Sequence, residues 1–171
     1  MNKKIRFIVM SGLIASIYVA LTYLSAALGL AYGPIQVRLS EALCVMCAFT
    51  PTAVPALTVG CLLGNIGSSL GLIDMLVGTA ATLIAALLGR YLRNIKVRGV
   101  PILLPLPFVV VNMVIIGAEI ALLSGEASFA MFAFNALTVG IGQLVACYII
   151  GIPLYIIINR SPLAKFLSYK D

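Results

Sequence analysis

Histidine and tryptophan are absent from this 171-residue chain, and only five acidic residues accompany its eleven basic ones. Without histidine the chain lacks the commonest metal ligand and the side chain best suited to general base work near neutral pH. With so few carboxylates as well, a hydrolytic or metal-centred enzyme lacks its parts. No G-x-x-x-x-G-K stretch is present, so the chain has no P-loop with which to hydrolyse a nucleotide, and no HExxH pair appears either. Cysteine is present but sparse: Cys44, Cys47, Cys61 and Cys147 all lie in apolar surroundings. The Cys44-x-x-Cys47 spacing has no second CxxC and no βαβ context, so these read as buried inert thiols, not a redox or metal pair. Charge itself is scarce, at 9% of residues, whereas 63% are hydrophobic and the mean hydropathy is +1.18. A soluble domain is about half apolar, and this chain cannot cover itself with polar groups. It reads as an all-α integral membrane protein forming one domain over residues 1–171.

What is abundant is apolar length. Six spans fit, at about 5–29, 38–51, 53–70, 73–92, 101–124 and 129–158, near the roughly 20 residues that cross the hydrocarbon. The second is short, and Pro51 and Pro55 bracket a tight turn after it. The basic start MNKKIRFI resembles a signal peptide, but the apolar run behind it is too long and ends in no cleavage site, so a retained first span is expected. Lys3, Lys4 and Arg6 precede span 1; Arg90, Arg93, Lys96 and Arg98 separate spans 4 and 5; Arg160, Lys165 and Lys170 follow span 6. With six spans these clusters share one side, the cytoplasm, as do both termini. The net charge of +6 is therefore a topology signal and not a nucleic-acid footprint.

Only Arg38 breaks that pattern, and it sits in YGPIQVRLSEAL beside Gln36 and Glu41. Asp74 begins span 4, Glu119 lies near the end of span 5, and Glu126 falls in the loop after it. Asn65 is near the outer end of span 3. Asn112 and Glu119 are seven apart on one helix face, and Asn135 and Gln143 eight apart on another. Polar groups in hydrocarbon usually face a bundle interior or a watery cavity, so these residues predict a polar pocket opening outward. Each also has a structural reading. Arg38 and Glu41 can pair locally at the start of span 2, with Ser40 as N-cap, and Asp74 can cap span 4. Glu119 can be a protonated or amide-paired packing residue, and Asn112 and Asn135 can be interhelical glue. Gly12, Ser16 and Ala20 repeat every four residues on span 1, a small-residue face that lets another helix approach.

YGPIQVRLSEAL, then AFTPTAVPALTVGCLLGNIGS, LIDMLVGTAATLIAALL and FNALTVGIGQLVACYIIGIPL, resemble the queuosine-precursor transporter (QueT) family, over about residues 5–158. The resemblance implies a substrate-binding S component of an energy-coupling factor (ECF) importer: a six-helix membrane fold in a prokaryotic plasma membrane, with no enzymatic activity and no cofactor of its own. It implies three partner subunits, one transmembrane and two ATPase, and a docking face at Gly12 and Ser16, extended by Ala20. The cargo would be a 7-deazaguanine such as preQ1, preQ0 or queuine, delivered by toppling in the bilayer. The candidate binding residues are Gln36, Arg38, Glu41, Asn65, Asp74, Asn112, Glu119, Asn135 and Gln143. Tyr32, Phe108 and Phe134 are candidates for stacking on the base. Two other readings stay open: an ion-coupled carrier that works alone, with Glu119 titrating, and a non-transporting membrane scaffold.

Overall fold

The computed structural model describes residues 2–31, 36–68, 70–125 and 128–168, and within them the chain is helical, with no strand beyond one isolated bridge between Val97 and Val100. Helix α1 spans Lys3–Ala27; Asn2 caps it by accepting from the Lys4 N–H at 3.1 Å. Gly29, at φ +70°, lets the chain turn back, and Leu30 N–H closes on Ser25 O at 2.8 Å. A 3₁₀ helix, Leu39–Val45, runs directly into the short α2, Met46–Phe49, and α3 follows as Ala53–Gly64. Then come α4, Leu72–Leu92, and α5, Leu106–Leu123. Helix α6, Phe129–Leu144, passes through a π-helical turn, Val145–Ile150, into α7, Gly151–Arg160, and α8 is Leu163–Leu167. The π turn has a local cause. Pro153 has no N–H to give to the carbonyl of Ile149, and the wider turn takes up the defect.

Four helical stretches are long and apolar enough to cross a membrane: Lys3–Ala27, Leu72–Leu92, Leu106–Leu123 and Phe129–Arg160. Leu39–Phe49 and Ala53–Gly67 are apolar but shorter. The 3₁₀ part rises roughly 2.0 Å per residue against 1.5 Å for an α-helix, which stretches a segment otherwise too short. Span 5 was expected from about residue 101; its helix begins at Leu106 because Pro101 and Pro105 hold the preceding residues in turns.

The helices form a ring. α1 packs on α3, α3 on α4, α4 on α5 and α5 on α6, while the 3₁₀ helix closes the circuit between α1 and the π turn with α7. The outside of the ring is oily: Leu72 is 74% exposed, Leu122 69% and Phe129 83%. The inside holds Glu41, Asn65, Asp74 and Asn112, all buried. This is the reverse of a soluble bundle and is what a lipid solvent requires. At one end α1 meets α8, where Arg6 donates to Phe166 O and its guanidinium lies 5.0 Å from that ring's centre. Arg90 donates to Cys47 O at the same end. Arg38 is at the other.

Candidate functional site

Arg38 is placed by an extended segment, residues 36–38, anchored where Val37 N–H meets Leu30 O at 2.9 Å. Its Nη1 donates to Asn65 Oδ1 at 2.7 Å, and its Nη2 lies 3.7 Å from Asp74 Oδ2. Asn65 in turn donates through Nδ2 to the Asp74 carbonyl at 3.2 Å. The cation therefore pairs with Asp74 across the bundle and not with Glu41 beside it. Capping also differs from the local readings. Arg38 itself occupies the N-cap position of the 3₁₀ helix, and Ser25 Oγ of α1 accepts the Leu39 N–H at 2.9 Å. Gly71, at φ +66°, sits at the N-cap of α4, leaving the Asp74 side chain to Arg38.

Glu41 is 3% exposed. Its Oε1 accepts from the Tyr18 hydroxyl, and its Oε2 has no partner. One turn further along α1, Thr22 Oγ1 donates to Ser40 Oγ at 2.9 Å. Tyr18, Thr22 and Ser25 thus form a polar ladder on the inner face of α1, each rung fastened to residues 39–41. From the other side, the Cys147 thiol faces the Glu41 carbonyl at 3.6 Å and Gln143 Oε1 at 3.4 Å.

Between these groups lies a cavity of about 20 Å³ at the centre of the ring. Gln36, Arg38, Glu41, Thr82, Asn112 and Gln143 line it, against apolar walls from Cys61, Ile116 and Val139. Asn112 bonds Phe108 O through Nδ2 at 2.9 Å, which leaves its carbonyl oxygen to offer. Gln143 Oε1 is engaged by Cys147, which leaves its amide N–H groups. The cavity therefore presents acceptors at Glu41 and Asn112 and donors at Arg38 and Gln143. Between the described residues its volume suits about one water.

Gly142 decides how close the 36–38 segment comes. A Cβ at that position would sit 1.9 Å from Gln36 O, so backbone meets backbone with no side chain between.

Of the nine candidate binding residues, five line this cavity and Asn65 and Asp74 hold its arginine. The other two do not line it. Glu119 is 5% exposed with both carboxylate oxygens unpartnered, and it borders an apolar groove of about 420 Å³ between α4 and α5, beside Ile73, Val77 and Leu122. Asn135 is buried on α6 with its Nδ2 unpartnered. Among the aromatic candidates, Phe108 is packed in the core and Phe134 is 57% exposed on the outer surface. Tyr32 and Glu126 lie outside the described residues. Gly12, Ser16 and Ala20 are exposed together on the far side of α1 from the ladder, and a Cβ on Gly12 would meet nothing within 4 Å. Beside Gly12, Pro55 and Val59 of α3 help to line a shallow apolar groove of about 300 Å³. Sequence reasoning missed Tyr18 and Thr22. Their spacing with Ser25, at i, i+4 and i+7, was the available signal.

The family model described as QueT transporter matches residues 8–160. Over 82 residues the chain is 37% identical to "Queuosine precursor transporter QueT" of Lactococcus lactis subsp. cremoris (strain MG1363), a stretch that covers 48% of this chain and 48% of that relative. The matched part of the chain thus spans about half the length of that curated relative. No solved structure matches the chain. Its apolar helices and the family match over most of its length agree: the chain belongs to the QueT transporter family and is a multi-pass cell-membrane protein, not an enzyme.

Proposed function

We propose that this protein is the substrate-capturing membrane subunit, the S component, of an ECF-type importer for a queuosine precursor. The observation that carries the reading is the central cavity: six polar side chains from separate parts of the chain converge on it, and one buried carboxylate oxygen there has no partner. A guanine edge offers N1–H and an exocyclic amine as donors and a carbonyl as acceptor. Glu41 Oε2 suits the donors, and Arg38 or the Gln143 amide suits the carbonyl. The aminomethyl group of preQ1 is cationic and favours a second carboxylate, for which Glu119 is uncommitted. In this reading Gln36, Asn65, Asp74, Asn112 and Asn135 complete or support the site.

Six membrane spans with both termini in the cytoplasm are part of the same reading, with Leu39–Phe49 and Ala53–Gly67 as the two short spans. The chain binds no cofactor and no nucleic acid. A transmembrane partner docks on Gly12, Ser16 and Ala20, two ATPase subunits supply the energy, and toppling carries the loaded pocket inward. The bare Gly12 surface supports docking there.

Isothermal titration of the detergent-purified chain with preQ1, preQ0, queuine and guanine tests the proposal, with riboflavin and thiamine as controls. Tight binding of a deazaguanine by the lone chain is expected. Binding of a control vitamin instead reassigns the cargo, and silence from folded protein overturns the capture role. The unpartnered Glu119 favours a second reading, a free-standing ion-coupled carrier. Under that reading, vesicles holding this chain alone would accumulate substrate down an ion gradient.

A further inference from the structure

We infer that Tyr18 is a positioning residue of the central cavity, fixing which atom Glu41 presents to a ligand; this rests on reading the cavity as the ligand site. Tyr18 is 2% exposed and does not line the cavity. Its ring is wedged against α3, where a Cβ on Gly60 would come within 2.8 Å of the Tyr18 Cβ. The phenol is therefore held by packing, and its hydroxyl reaches Glu41 Oε1. The carboxylate's backbone is held as well, by Thr22 on Ser40, Ser25 on Leu39 N–H and Cys147 on the Glu41 carbonyl. Glu41 cannot turn without breaking from Tyr18, and Oε2 is the atom left for the cavity.

The chemistry of an O–H donor makes this directional. The phenol holds an acceptor atom, so whatever occupies the other branch at position 41 faces the ligand. In wild type that branch is a carboxylate oxygen, which receives an N–H. In Glu41→Gln the phenol retains the amide oxygen, and the NH₂ group is turned toward the ligand's own donors. Removing the phenol hydroxyl frees the amide to rotate and offer its oxygen again. Tyr18→Phe should therefore weaken binding when residue 41 is Glu and strengthen it when residue 41 is Gln. A residue that only fills space would weaken both.

The test is isothermal titration of wild type, Tyr18→Phe, Glu41→Gln and the double variant with preQ1, preQ0, queuine and guanine, with thermal unfolding run on each. We expect Tyr18→Phe to lower affinity about tenfold, the scale of one charge-assisted hydrogen bond. Glu41→Gln should lower it about a hundredfold or more, and the double variant should recover about tenfold of that loss. Thr22→Val, which removes a ladder bond without touching Glu41, should lower the melting temperature and leave the Glu41→Gln deficit unchanged. Equal weakening in both backgrounds, a double variant no tighter than Glu41→Gln, or equal rescue by Thr22→Val overturns the role of Tyr18 while the ligand site stands. If folded wild type binds none of the four bases, both readings fall.

Discussion

Arg38 stays charged in an apolar bundle because its two partners come from different helices and cannot drift apart without breaking the ring. Asn65 and Asp74 are both almost fully buried, and Asn65 bonds the Asp74 backbone as well as the guanidinium. Removing one member of a buried pair leaves a bare charge, at a cost of about 3–5 kcal/mol. Asp74→Ala should therefore cost about that much, read as a lower unfolding midpoint in detergent. Asn65→Ala should cost about 1–3 kcal/mol, because the ion pair survives it. Equal costs would mean that Asp74 acts only at the start of α4. At this scale the sequence was informative about identity but not about pairing. Intramembrane Arg38, Glu41, Asn65 and Asp74 stand out against hydrocarbon, yet spacing favours a neighbour at i+3, and the partner chosen lies on another helix. Tyr18 was harder still, since a tyrosine inside an apolar helix looks like core until its hydroxyl is seen on Glu41.

At the scale of elements, α1 works with two faces. Tyr18, Thr22 and Ser25 hold the 3₁₀ segment on the inside, while Gly12, Ser16 and Ala20 leave the outside bare. Gly12→Leu has open space around it and should leave folding and ligand titration unchanged, while, under the proposed importer role, abolishing co-purification with the transmembrane partner. Loss of ligand affinity with assembly intact would place that face in the pocket instead. Gly142→Ala should behave oppositely, because its new Cβ has only the Gln36 backbone to displace; both melting temperature and ligand affinity should fall. The long helices were legible from apolar length alone. The 3₁₀ character of residues 39–45 was not, because it answers to the fastenings on α1 and the π turn, and no periodicity in so short a segment reports them.

For the whole molecule, the ring has an oily exterior and a polar centre, where the cavity between the described residues is small. A cavity of about 20 Å³ does not admit a bicyclic base, so under the proposed capture role binding includes a step in which the walls part. Association should then be slow, at or below the roughly 10⁵ M⁻¹s⁻¹ lower end of ordinary association rates, and stopped-flow mixing measures it. Val139→Ala, which shortens one apolar wall, should raise the rate. A rate near diffusion in wild type would mean that the walls already stand open. Membrane character was plain from composition, since nothing else accommodates so many apolar residues. That Glu119 stays just outside the cavity at Glu41 was not, because helix order around the ring decides it.

The approach of Gly142 to Gln36 also bears on how such a protein diversifies. A contact between two backbones is indifferent to the side chains around it, so, with the cavity as the proposed ligand site, its frame and its selectivity can change separately. Under that proposal Gln36, Asn112 and Gln143 can be exchanged as cargo changes, whereas position 142 has a single permitted letter. In a saturation library selected for new cargoes, the first three sites should scatter and the fourth should return as glycine every time.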